Sequence, residues 1–189
     1  MRVLDFGWLF GNRYLTTKAK PVYKPEDLKG MKIRVQPTAI YLDTIRAMGA
    51  NPTPMDWKEV YMGLQTGVID GQENPPVVLF NAKLYEVQKY VMLTAHITQN
   101  QAIVINEKFY QSLAPEFQRI LTESAQEAGT FQNELVLKSE KEYLDKLKEQ
   151  GMTIVQPDVK AFREATKDVY KKFAEKWEPG LYEKIQAVK

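Results

Sequence analysis

Arg34 stands between Ile33 and Val35 in a run, Met31-Lys32-Ile33-Arg34-Val35, that alternates apolar and basic residues. An arginine inside an apolar strand is costly to desolvate unless it meets an anion. Its planar guanidinium is a two-pronged donor that fits a carboxylate. Read alone, it is a carboxylate anchor, a structural ion pair or an exposed strand position, and all three stay open. Further on, Gln72-Glu73-Asn74 crowd three polar side chains ahead of Pro75. Asn74 carries an amide that donates and accepts at once, or it caps the helix that follows. Asp70 and Glu73 offer a pair of carboxylates for acid–base catalysis. No nucleophile, metal-ligand cluster or phosphate-cradling glycine loop accompanies them. His96 is the one histidine and there is no cysteine, so the residue types of a zinc site are not assembled. It reads as a hinge or packing residue.

The elements that must hold these residues follow from punctuation and period. Asn51-Pro52 and Thr53-Pro54 bias the backbone toward extended or turn conformations. Asp56 then reads as an N-cap with Glu59 as its capping-box partner, opening a helix at Trp57 that Gly67 stops. Val68-Ile69 is a candidate buried strand and Asp70-Gly71 a turn. Gly11 to Thr17 reads as a turn and an extended segment, and Thr38 to Met48 as a helix. Strand, helix, strand, helix with short connections argues an α/β lobe. Tyr90–Leu93 and Ala102–Ile105 are β-type runs, separated by the polar stretch Thr94 to Gln101. From Pro115 to Gln150 apolar residues recur at threes and fours, predicting a helix roughly 50 Å long at 1.5 Å per residue. Phe162 to Trp177 predicts a last long helix, and Leu181 to Ala187 a short tail helix.

Composition sets outer bounds. Lys+Arg 26 against Asp+Glu 24, mixed along the chain, leave no basic stripe for nucleic acid and no polybasic membrane tract. The basic loop Lys18 to Lys24 reads as solubility. With 189 residues, 44% of them hydrophobic, there is material for one substantial core or two modest ones.

The blocks GANPTPM, EVYMGLQTGVIDGQENP and LYEVQKYV resemble the dicarboxylate-binding (DctP-like) solute-binding proteins of tripartite ATP-independent periplasmic (TRAP) transporters, and the similarity runs from about Gly11 to Phe173. The resemblance implies an α/β fold: a periplasmic-binding-protein-like lobe, a mixed sheet flanked by helices, with a long lobe-spanning helix and an incomplete second lobe. It implies that Arg34 of KIRV grips the ligand carboxylate, and that Arg13 of GNRYLTT faces the cleft. Asn74 of QENP would support the ligand or orient the arginine, and Trp57 would form an aromatic wall. Glu73 would hold an arginine or a backbone amide. The family's strand usually has proline directly after RV; here Gln36 intervenes before Pro37, which adds Gln36 to the candidate contacts.

The expected function is therefore extracytoplasmic binding of a small organic acid, delivered to TRAP membrane permease subunits, with no chemistry performed and no cofactor. The alternatives are a truncated non-binding fragment or ligand-sensing module, or an α/β enzyme using Asp70 and Glu73. Met1-Arg2-Val3-Leu4-Asp5 shows no cleavable signal pattern, whereas the resemblance implies a periplasmic location. Residues 1–10 read as a strand from the middle of such a protein, so most of the N-terminal lobe is expected to be lacking. On that reading 1–97 and 140–189 form the ligand-binding lobe, 98–139 are the remnant of the other, and the chain self-associates through 98–139.

Overall fold

The computed structural model describes residues 1–188. One six-stranded mixed sheet organises the chain. Its strands are β1 (Arg2–Thr17), β2 (Lys32–Val35), β3 (Asn51–Pro54), β4 (Gly71–Asn74), β5 (Tyr90–Ile105) and β6 (Thr153–Val155), in the order β3-β2-β4-β1-β5-β6. β2 runs parallel to β3 and β4, β1 antiparallel to β4 and β5, and β6 parallel to β5. The helices are α1 (Ala39–Ala47), α2 (Val60–Thr66), α3 (Pro76–Asn81), α4 (Glu107–Ser112), α5 (Pro115–Glu149), α6 (Val159–Thr166) and α7 (Leu181–Gln186).

Because successive side chains on a strand point to opposite faces, Tyr14 and Leu15 serve two cores. Leu15 joins Ile33, Val35, Ile45, Met48, Met92 and Phe162; Tyr14 joins Val60, Leu64, Leu79, Val91 and Leu147. Both clusters bury side chains almost completely, so the polar residues of the sheet sit between two packed layers.

Several expected elements differ from those observed. The two β-runs at 90–93 and 102–105 are ends of one strand, because the polar stretch between them ladders onto β1 from Trp8 to Arg13. Gly11 to Thr17 is likewise part of β1, not a turn and a separate segment. The strand near Ile69 begins two residues later and is the polar Gly71–Asn74, buried throughout. Asp56 caps as expected, accepting from the Lys58 N–H at 3.0 Å, but the first turn is 3₁₀ (Trp57–Glu59) and the α-helix starts at Val60. The last long helix is broken after Thr166, and Val169–Lys176 winds as 3₁₀.

α5 follows the stripe read from sequence, 35 residues long, but buries only Ala125, Gly129 and Leu147. Its middle rides on β1: Asn133 accepts from Leu9 N–H at 2.6 Å and donates to the Gly7 carbonyl at 2.7 Å. Gly129 permits this approach, since a Cβ there would stand 2.8 Å from Asp5 Oδ2 and 2.9 Å from Trp8 Nε1. Residues Arg2 to Asn12 of β1 pair with Thr98 to Ile105, while Leu15 to Thr17 pair with Tyr90 to Met92.

Gly71 is the most tightly hemmed glycine: a Cβ there would lie 2.1 Å from the Thr16 carbonyl oxygen and 3.0 Å from Ile33. That carbonyl belongs to β1 and has nowhere to move. Gly71→Ala is expected to lower unfolding free energy by about 3 kcal/mol. Urea denaturation checks this, and a midpoint matching the wild type would show that β4 can shift away from β1.

Candidate functional site

Where β2, β4 and β5 approach the Pro54–Glu59 loop, a cleft of about 650 Å³ opens, lined by Arg13, Arg34, Gln36, Trp57, Asn74 and Gln99 among others. Five of the six residues singled out from sequence line it. The sixth, Glu73, is fully buried behind Arg13.

The two arginines are held in different ways. Arg13, with no exposed surface, is clamped by Glu73: Nε reaches Oε2 at 2.5 Å and Nη2 reaches Oε1 at 2.8 Å. Nη2 also donates to the Glu73 carbonyl at 2.8 Å, and Nη1 to Gln99 Oε1 at 2.7 Å. Such a two-pronged pair offsets the desolvation of both charges and fixes their geometry. Arg34, only 4% exposed, has no carboxylate partner among the described residues. Its Nε and Nη2 both donate to the Met55 carbonyl, at 2.9 and 2.8 Å, and its Cζ lies 5.5 Å from the Trp57 ring centre. Burial lowers the proton affinity of this guanidinium; the Glu73 charge works the other way, Arg13 adds to the lowering, and the exposed Asp56 at the mouth opposes it more weakly. The buried groups therefore sum to one uncompensated positive charge: Arg13 and Arg34 against Glu73.

Neutral amides surround that charge. Asn74 donates to Gln72 Oε1 at 2.7 Å, and Gln72 donates to Thr16 Oγ1 at 2.9 Å. This chain anchors Asn74 from within the sheet. The helix cap role considered for Asn74 is not taken, because Pro75 is the N-cap residue of α3. Trp57 is 40% exposed and lines the mouth of the cleft, so it does not anchor the core. His96 is tucked behind, its Nδ1 2.8 Å from Thr94 Oγ1 and its Nε2 3.5 Å from Glu73 Oε2.

Asp70 and Glu73 are not brought together as a catalytic pair. Asp70 accepts from the Lys32 backbone N–H at 2.7 Å, bracing the turn into β4, while Glu73 is committed to Arg13. Sequence reasoning missed Gln99, hidden in a polar stretch without a motif. Phe10 and Met55, whose carbonyl holds Arg34, were also missed; a backbone acceptor leaves no mark in a sequence.

Burial alone would raise the Glu73 pKa, but the adjoining His96 ring, 3.5 Å away, and the hydrogen-bonded Arg13 guanidinium outweigh it and hold the carboxyl below its ordinary value of 4.5. A depressed folded-state pKa contributes stability in full above the unfolded value, lost as pH falls through the folded one. Glu73→Gln strands Arg13 and is expected to cost about 3–5 kcal/mol at pH 7. The variant should also lose less stability than wild type below pH 4.5. Parallel acid limbs in urea titrations would rule out this role for the pair.

Residues 1–176 match the family model for bacterial extracellular solute-binding protein, family 7 (DctP). The chain is 42% identical over 166 residues to the 2,3-diketo-L-gulonate-binding periplasmic protein YiaO of Escherichia coli K12, covering 87% of this chain and 50% of that protein. It is 38% identical to the sialic acid-binding periplasmic protein SiaP of Vibrio cholerae, covering 91% and 53% respectively. Among solved structures, a TRAP periplasmic solute-binding protein of Actinobacillus succinogenes 130z with bound L-galactonate superposes with a TM-score of 0.90 at 43% identity, over 98% of this chain and 61% of that one. The chain spans about half the length of the curated relatives it matches.

Proposed function

The chain belongs to the bacterial extracellular solute-binding proteins of family 7, and from that membership we propose that it binds a small organic acid in the Arg34 cleft and presents it, outside the cytoplasm, to the membrane permease subunits of a TRAP transporter. The observation that carries this reading is the single uncompensated cation, Arg34, buried beside an aromatic ring and three neutral amides. A carboxylate supplies the missing charge and accepts from the guanidinium edge that Met55 leaves open. Relatives bearing 2,3-diketo-L-gulonate, sialic acid and L-galactonate in their names support an acid as ligand. Arg13 sets the floor of the site, Asn74 and Gln99 its polar sides, and Gln36 its rim. Nothing in this arrangement cuts or forms a bond: the Asp70 and Glu73 carboxylates are both engaged in structural contacts.

Arg34→Lys keeps the charge and loses the planar fork. Carboxylate affinity is expected to fall by about 2–3 kcal/mol, read by titration calorimetry against sugar acids, keto acids and dicarboxylates. Unchanged affinity would remove Arg34 as the anchor.

We also propose that residues 98–139 form part of a second lobe and mediate self-association. Phe109, Phe117, Ile120, Phe131 and Leu137 of α4 and α5 are exposed, more apolar surface than two neighbouring helices ordinarily leave in water. Light scattering of the purified chain at rising concentration should show growth in mass that Phe117→Ser with Phe131→Ser abolishes. A monomer at every concentration would overturn it.

A further inference from the structure

The formal charges around the cleft are unevenly placed. At its base Arg13 is committed to Glu73, so only Arg34 is available to an anion. At its mouth stand two exposed acids, Asp56 and Glu59, and among the described residues the lining holds no third cation to oppose them. Asp56 is fixed there by its bond from the Lys58 N–H at 3.0 Å. The Lys58 side chain lines a separate hollow with Val60 and Tyr61. The remaining polar lining is Gln36, Asn74 and Gln99, whose amides donate and accept without charge.

Resting on the carboxylate reading above, we propose that the site selects acids with one negative charge and an uncharged, hydroxyl-rich remainder, and that Asp56 and Glu59 are the residues that exclude a second carboxylate. The first carboxylate neutralises Arg34. A second, at the far end of a five- or six-carbon chain, finds amides and two like charges in place of a counter-ion. Hydroxyls meet the same amides as both donors and acceptors and lose nothing on leaving water. The mouth is solvated, so the repulsion is screened. Two exposed charges lining the same cleft nonetheless weaken a dianion by roughly tenfold at low salt.

The discriminating ligands differ at one carbon: aldonates of five and six carbons, each paired with the aldarate in which the terminal CH₂OH is a carboxylate. Calorimetry on the full chain should give aldonate affinities about tenfold or more above those of the matched aldarates at low salt. In the double variant Asp56→Asn, Glu59→Gln the ratio should shrink to within about threefold, as it should for the wild type in high salt. Aldarates binding as tightly as aldonates, or a ratio unmoved in the double variant, would overturn the exclusion while leaving the carboxylate reading intact. Preference for an aminated acid over its hydroxyl counterpart would also overturn it, reassigning the two acids to a ligand cation. If no acid binds and Arg34→Lys is indistinguishable from wild type, the carboxylate reading itself fails and the charge selection with it.

Discussion

The buried pair of Arg13 and Glu73 is the interaction on which the site is built. Neither side chain has exposed surface, and their contacts tie three strands together. Glu73 comes from β4, Arg13 from β1, and Gln99 from β5. A pair of this kind contributes little net stability against an apolar substitute. What it supplies is position. It places a guanidinium at the base of the cleft with all but one of its N–H donors committed, so that Arg13 shapes the floor of the cleft.

Arg34 is managed by the opposite device. Its partner within the protein is a carbonyl, which satisfies two donors but carries no charge, and the Trp57 ring gives a face for the guanidinium to lie against. Removing a cation from water without a counter-ion is unfavourable, and that cost is relieved when an anion arrives. The strand makes this tolerable. β2 is flanked by β3 and β4, with Ile33 and Val35 fully buried on either side of Arg34 in sequence. The apolar neighbours supply the stability that the arginine does not.

How far the sequence revealed this depends on which physical signal each element carried. α5 was legible because apolar residues recurring at threes and fours fall on one face only when the backbone is helical, and β2 because Met31 to Val35 alternates apolar and basic residues. β4 was not, because Gln72, Glu73 and Asn74 look like a loop by every propensity. They form a strand only because the Arg13 guanidinium and Thr16 hydroxyl await them on β1. Tertiary partners, absent from a local reading, overrode the local preference. Thr94 to Gln101 failed to read as a strand for the same reason. The break after Thr166 had no glycine or proline to announce it. The cleft residues themselves were found through the family's blocks, since an arginine between two aliphatic residues is equally consistent with three roles.

The placement of the ion pair along the β1–β5 ladder gives it a further consequence. The register jumps between Arg13, opposite Ile97, and Leu15, opposite Met92. The surplus residues of β5 bulge out there, with Ala95 in the left-handed region at φ 43°. Such a bulge interrupts the ladder and leaves backbone hydrogen bonds unable to fix the relation between its two sides. Glu73 pairs in register with Leu15, on one side of the jump, while Arg13 and its partner Gln99 belong to the other. The salt bridge therefore spans the largest of the register shifts in the β1–β5 ladder. His96 lies within the bulge, its ring 3.5 Å from the same carboxylate. Side chains carry across the interruption the geometry that main-chain bonding carries elsewhere in the sheet, and the cleft opens beside that join.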